Sequence, residues 1–201
     1  MRFFSADPHF GHRRICELAA RPFTDVTTMN EILVANWNSV VSPDDEAWIL
    51  GDIALGPIME SLEYIGRLNG TKHMVWGNHD RCFPGSKKSA GMTPEEWVGV
   101  YKAAGFTSVR ADGGLMPFIP DYRFVNLSHF PYIGDSHDSN DRWGEYRLKD
   151  YGTTILHGHT HSKKKISRSS RGTLQINVGV DAWSFFPVSE VAILALIEAE
   201  S

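Results

Sequence analysis

Gly77-Asn78-His79-Asp80 follows directly on the run Thr-Lys-His-Met-Val-Trp at 71–76, and this junction decides how the rest of the chain is read. A short run of strand formers ending in these four residues reads as a buried strand that delivers polar side chains to its carboxyl end. Asn78 supplies a neutral oxygen, His79 an imidazole that can carry a proton, and Asp80 a carboxylate able to hold the other ring nitrogen of His79. A plain β-turn, with Asn and Asp serving backbone geometry, accounts for the same residues.

Working outward, the same arrangement recurs. Run 2–6 leads into Asp7-Pro8-His9, 46–50 into Gly51-Asp52, 123–128 into His129, and 153–157 into Gly158-His159-Thr160-His161; 174–178 reads as a further strand. Helical patterns lie between, at 12–20, 28–41, 57–68 and 93–104, the last opened by Thr93-Pro94-Glu95-Glu96, a cap with Pro and acids in its first turn. This alternation predicts a layered α/β fold. The close spacing of 106–111, 115–120 and 123–128 predicts a more antiparallel, mixed sheet in the later half. Segment 189–199 fits a helix capped by Ser189 or a strand, and 83–91 and 133–146 read as loops.

In extended geometry Asp7 and His9, two apart, point to one side and can grip one ion, and His159 and His161 repeat the spacing. The Gly before Asp52 lets the backbone approach closely, and a carboxylate there can bridge two ions about 4 Å apart. Carboxylate, amide oxygen and imidazole together suit divalent metals that act on phosphate esters. Each piece alone has an ordinary structural reading; the ordered set carries the inference.

The length of 201 residues fits one domain, 1–201. Hydrophobic residues at 42% with no bilayer-length apolar run predict a soluble protein with no membrane partner. Met-Arg-Phe-Phe-Ser is too short an apolar start for a secretory signal, and Cys16 and Cys82 form no disulfide framework, so the expected location is cytoplasmic. A net charge of −4 disfavours a grip on long nucleic acid. Lys163-Lys164-Lys165 with Arg168 and Arg171 is the local exception, either a decorated hairpin or a guide for phosphate.

In order and residue type these signals resemble the calcineurin-like metallophosphoesterase superfamily over nearly the whole chain, and the stretch 7–15 is similar to its small bacterial and phage members. The resemblance implies a four-layer α/β/β/α sandwich with two mixed β-sheets and a dinuclear metal site at the sheet edges. It implies one divalent metal on Asp7, His9, Asp52 and His161 and another on Asp52, Asn78, His129 and His159, bridged by Asp52. His79 would then protonate the leaving oxygen, oriented by Asp80, while a metal-activated water attacks phosphorus. Many members carry a second acid three residues after the bridging Asp; Leu55 stands there, at a position that is not a ligand.

His12, Arg13 and Arg14 are candidate substrate contacts, or simply the exposed first turn of a helix. His73 belongs to the strand pattern and His137 to a polar loop, while Asn177, Gly179 and Asp181 buttress the site or form a turn. Mn²⁺ is the metal expected to support activity in vitro, with Fe, Zn, Ni and Co also suited to the donor set. The expected substrate is a small phosphodiester such as a cyclic nucleotide. Phosphomonoester hydrolysis, a DNA or RNA nuclease and a non-catalytic binding module are the alternatives, and oligomeric state is open.

Overall fold

A computed structural model describes residues 1–86, 90–110, 114–118, 123–136 and 141–201. The chain first alternates: β1 (Arg2–Ser5), α1 (Ile15–Leu18), α2 (Val26–Val40), β2 (Glu46–Leu50), α3 (Ile58–Gly66), β3 (Thr71–Val75), α4 (Pro94–Ala103) and β4 (Phe106–Arg110). Strands then dominate, with β5 (Gly114–Phe118), β6 (Arg123–Leu127), β7 (Ile155–His157), β8 (Ile166–Arg168), β9 (Leu174–Asn177) and β10 (Val188–Ser189) preceding α5 (Glu190–Ala199).

Two mixed sheets result. The first runs β10-β1-β2-β3-β4, parallel except for β10; the second runs β5-β6-β7-β9-β8, with parallel β6, β7 and β9 flanked by antiparallel β5 and β8. Strand β2 reads as a nearly continuous apolar run, Ala47 to Leu50, because both its faces are covered, and β1 and β3 carry shorter apolar pairs, Phe3-Phe4 and Met74-Val75. Phe3, Ala47, Ile49 and Met74 pack with residues of α2, α3 and α4, whereas Phe4, Trp48, Leu50 and Val75 join Val125, Leu127, Leu156 and Ile176 between the sheets. Helix α5 adds Ile193 and Ile197 to that second core. Across the far face of the second sheet, the Ile133 amide donates to Gln175 Oε1 at 3.0 Å and Gln175 Nε2 donates back to the Ile133 carbonyl at 3.1 Å.

Segment 189–199 is a helix, because the Ser189 hydroxyl accepts the Ala192 amide at 3.3 Å and caps its first turn. The expected capping box of α4 is present, with Thr93 and Glu96 exchanging bonds. The helix expected at 12–20 shrinks to the single turn of α1. Ala20 turns left-handed at φ 47°, and Arg21 points inward to buried acceptors instead of extending the helix. His137 lies outside the described residues, as do parts of the 83–91 and 133–146 segments and the ends of 106–111 and 115–120. No described helix is long and apolar enough to cross a membrane.

The parallel strands place their carboxyl ends along one common edge, the usual ligand position of an α/β sheet. Asp7, Asp52 and Asn78 follow strands of the first sheet; His129 and His159 follow strands of the second.

Candidate metal centre

The ligand candidates sit on an unusual backbone. Asp7, His9, Asp52, His159 and His161 have φ of 57°, 53°, 54°, 69° and 49°, in the left-handed region that non-glycine residues rarely adopt. This corrects the expectation that Asp7/His9 and His159/His161 reach one side as extended pairs: the strands end beforehand, and left-handed residues turn the side chains together. Such strain persists only where surroundings hold it, and it concentrates at functional sites.

The turns bring the motifs into contact. Asp7 is fully buried, and its carboxylate accepts the His159 amide at 3.2 and 3.0 Å, joining the first motif to the last. Asp52 Oδ1 accepts the His79 amide at 2.9 Å, while Oδ2 stands 3.5 Å from His9 Nε2 and 3.6 Å from His129 Nε2. Ligand atoms bonded to one octahedral ion at about 2.1 Å lie about 3 Å apart when adjacent and about 4.2 Å when opposite. Both separations fall in that span, so this oxygen is placed to be shared. Asp7, His9 and His161 each offer an atom within 4.8 Å of the others, as do Asp7, Asp52 and His129.

Three observations fit a cation here. Both ring nitrogens of His9 are buried with no hydrogen-bond partner among the described residues. His129 Nδ1 lies 2.8 Å from the Leu50 carbonyl, which can only accept, so in the neutral ring Nε2 carries a lone pair; that lone pair faces Asn78 Oδ1, another acceptor, at 3.1 Å. Burial also holds His9 well below the usual imidazole range, leaving its nitrogens free to bind metal. For Asp52 burial is the largest influence and opposes ionisation, but His129, His79 and His9 together outweigh it and hold the carboxyl below the usual carboxylate range.

Two histidines are aimed by carboxylates. His161 Nδ1 lies 2.9 Å from Asp181 Oδ2, and His159 Nε2 lies 3.1 Å from Asp135 Oδ2, which leaves His161 Nε2 and His159 Nδ1 for an ion. Burial, and then the neighbouring His129, lowers the His159 imidazole to about 3. Asp181 is itself gripped by Arg21, whose Nε and Nη2 donate at 2.8 and 2.9 Å while Nη2 and Nη1 also reach the Asp7 and Pro8 carbonyls. Asn177 accepts the Gly179 amide at 2.8 Å and donates to the Ser162 carbonyl at 2.9 Å, fixing the loop after His161. Arg21→Met is expected to lower the unfolding free energy by about 3–5 kcal/mol, because it strands the Asp181 charge. Chemical denaturation of the metal-free protein measures this, and an unchanged midpoint removes Arg21 from the support of the site.

Asp80 requires a correction, since it does not orient the His79 ring. Its Oδ2 accepts the Asp52 and Gly77 amides at 2.8 and 2.7 Å, and its Oδ1 accepts the Ile53 amide at 3.0 Å and the Tyr101 hydroxyl at 3.2 Å. All its lone pairs are taken, so it ties the loop after β2 to the loop after β3. Burial, then the Asp52 charge, pushes its carboxyl up to about 7 against the pull of the Gly77 and Ile53 amides. His79 itself is exposed, its ring centroid 5.6 Å from that of His9. The half-buried His12 ring comes within 5.4 Å of His9, whereas Arg13 and Arg14 are exposed on the surface before α1.

Two mixed sheets with a carboxylate–imidazole centre on their shared edge define the class, a metal-dependent phosphoesterase. The sequence profile of the calcineurin-like phosphoesterases matches residues 4–163, and the chain belongs to that family. Gene 66 protein of Mycobacterium phage L5 is 37% identical over 184 residues, covering 90% of this chain and 86% of its own. Gene 66 protein of Mycobacterium phage D29 is 36% identical over 198 residues, covering 94% and 92%. The crystal structure of a protein of unknown function from Aquifex aeolicus shares the fold, with a TM-score of 0.70 at 22% identity over 98% of each chain.

Proposed function

We propose that the chain is a phosphodiesterase acting on small nucleotides, cyclic nucleotides foremost. The observation that carries the reading is the pair of orphaned His9 nitrogens beside an Asp52 oxygen set between two imidazoles. Two divalent ions, one on Asp7, His9, Asp52 and His161 and one on Asp52, Asn78, His129 and His159, would supply Lewis acidity at the phosphoryl oxygens and an acidified water. Mn²⁺ is the metal we expect to work in vitro, with Fe, Zn, Ni and Co accepted by the same donors.

His79, exposed and anchored through its amide to Asp52, carries the proton that passes to the leaving oxygen as the ester P–O bond breaks. A small substrate is favoured because the basic hairpin is partly committed elsewhere. Arg168 donates to the Glu200 carboxylate at 2.8 Å, and Lys165 sits 4.0 Å over the Trp183 ring. Two free thiols, Cys16 and Cys82, support a reducing, cytoplasmic setting.

Parallel assays of a cyclic nucleotide, bis(4-nitrophenyl) phosphate, 4-nitrophenyl phosphate and single-stranded DNA test the substrate class. Diesters are expected to turn over fastest; a preference for the monoester or for DNA rejects the reading. His79→Asn is expected to lower kcat by about 10²–10⁴-fold while both metals stay bound, as read by elemental analysis. Loss of metal together with activity assigns His79 a different role.

A further inference from the structure

Arg147 follows the single turn Gly144–Tyr146, and its side chain is only 6% exposed. A guanidinium is planar and always charged, with five N–H donors in fixed directions, so its burial calls for acceptors on several sides. Nη1 donates to the Pro131 and Gly134 carbonyls at 2.8 and 3.1 Å, Nε donates to the Arg142 carbonyl at 2.8 Å, and Nη2 reaches Asp135 Oδ2 at 3.4 Å. One side chain thus gathers three carbonyls and a carboxylate from the stretch between His129 and itself.

Charge pairing alone does not account for this placement. Asp135 is already served by Arg142, whose amide, Nε and Nη2 donate to its carboxylate at 3.1, 3.0 and 2.6 Å, and whose side chain stays largely in water. What Arg147 adds is a grip on the backbone at 131 and 134, immediately before that acid. A lysine ammonium is a point donor and does not reproduce the fork.

The stretch held in this way serves the imidazoles of one ion. Pro131 stands two residues past His129, and Asp135 Oδ2 lies 3.1 Å from His159 Nε2. Between them the Phe130 ring, 5.6 Å from Arg147 Cζ, has its centroid 4.9 Å from those of both His129 and His159. Arg21 stands in the same relation to the other ion, through Asp181 to His161 and through the carbonyls of Asp7 and Pro8. The contacts of Arg147 among the described residues reach neither His9 nor His161.

We propose that Arg147 is a positioning residue for the ion on His129 and His159 alone, acting through Asp135 and the backbone at 131–134, so that each ion has a buried arginine of its own. This rests on the two-ion ligand assignment above and not on the identity of the substrate. Removing a partner that orients a metal-binding histidine ordinarily costs about 10–100-fold in metal affinity.

The test is calorimetric titration of the metal-free protein with Mn²⁺. Arg147→Lys is expected to weaken one of two binding steps by about 10–100-fold while the other moves by less than about twofold. His159→Ala identifies the step, and adding Arg147→Lys to it should weaken neither step further. Equal loss from both steps, loss confined to the step that His159→Ala spares, additive losses in the double variant, or no loss overturns the proposal. If the Lys variant does not fold, Arg147→Gln takes its place.

The ¹⁵N resonances of the His159 ring in the metal-free protein give a second readout. The Nε2–H tautomer held by Asp135 is expected to dominate in the wild type and to give way to a mixture in the variant; an unchanged ring overturns the proposal. A wild-type protein that takes up fewer than two ions fails the two-ion assignment instead, and the tautomer then decides whether Arg147 positions His159.

Discussion

Asp52→Ala is expected to lower diester turnover by at least about 10³-fold and to reduce bound metal from two ions per chain, because one oxygen of this carboxylate faces both His9 and His129. The other oxygen accepts the His79 amide, so the substitution frees the Asn78-His79 loop as well. Asp52→Asn separates the two effects. An amide keeps the shape and the Oδ1 acceptor but loses the charge, so the fold and the His79 anchor should persist while metal binding collapses. Turnover of bis(4-nitrophenyl) phosphate and metal content by elemental analysis read the outcome. An Asn variant that keeps both ions and full activity sinks the shared-ligand assignment.

Gly77→Ala is expected to cost about 3 kcal/mol or more of stability, the upper end of overpacking penalties, and to disorganise the centre at the same time. A Cβ on Gly77 would lie 2.3 Å from Asp52 Oδ1, 2.5 Å from the Asp52 backbone nitrogen and 2.9 Å from His129 Cε1. Two of these neighbours are themselves candidate ligands and the third is backbone, so none can retreat cheaply. The Gly77 amide is also fixed, donating to Asp80 Oδ2 at 2.7 Å. Thermal melts with and without Mn²⁺ measure both consequences. A variant with unchanged melting temperature and undiminished stabilisation by Mn²⁺ shows that the loops can part at this point.

Strands β1, β2 and β3 are legible in the sequence because each supplies successive apolar residues to two covered faces, Phe3-Phe4, Ala47 to Leu50 and Met74-Val75, with Gly, Asp or Asn soon after it stops. The two-residue β10 carries no such signal, since its pairing to β1 depends on where α5 begins. Helix α1 is far shorter than the periodicity of 12–20 suggests, because that periodicity does not reveal that Arg21 prefers the Asp181 carboxylate. At the site, residue types are legible and geometry is not: nothing in Asp-Pro-His announces left-handed backbone at both Asp7 and His9. Asp135 and Arg21, which steady His159 and His161 through direct and relayed contacts, are lone charges in ordinary contexts. Only their burial beside an imidazole or a carboxylate distinguishes them. Asp80 carries a misleading signal, because a carboxylate next to a histidine in sequence faces the backbone of another loop in space.

The bonds from the His159 amide to the Asp7 carboxylate cross 152 positions of chain, and the Arg21–Asp181 clamp crosses 160. During synthesis the amino-terminal ligands therefore leave the ribosome long before the residues that hold them in place. A nascent chain stopped ahead of Asp181 carries all seven candidate ligands without the clamp that steadies them, and closing such distant contacts is the slow part of folding. Metal capture therefore waits on the segment from His159 to Asp181, which converts a string of loose ligands into a centre.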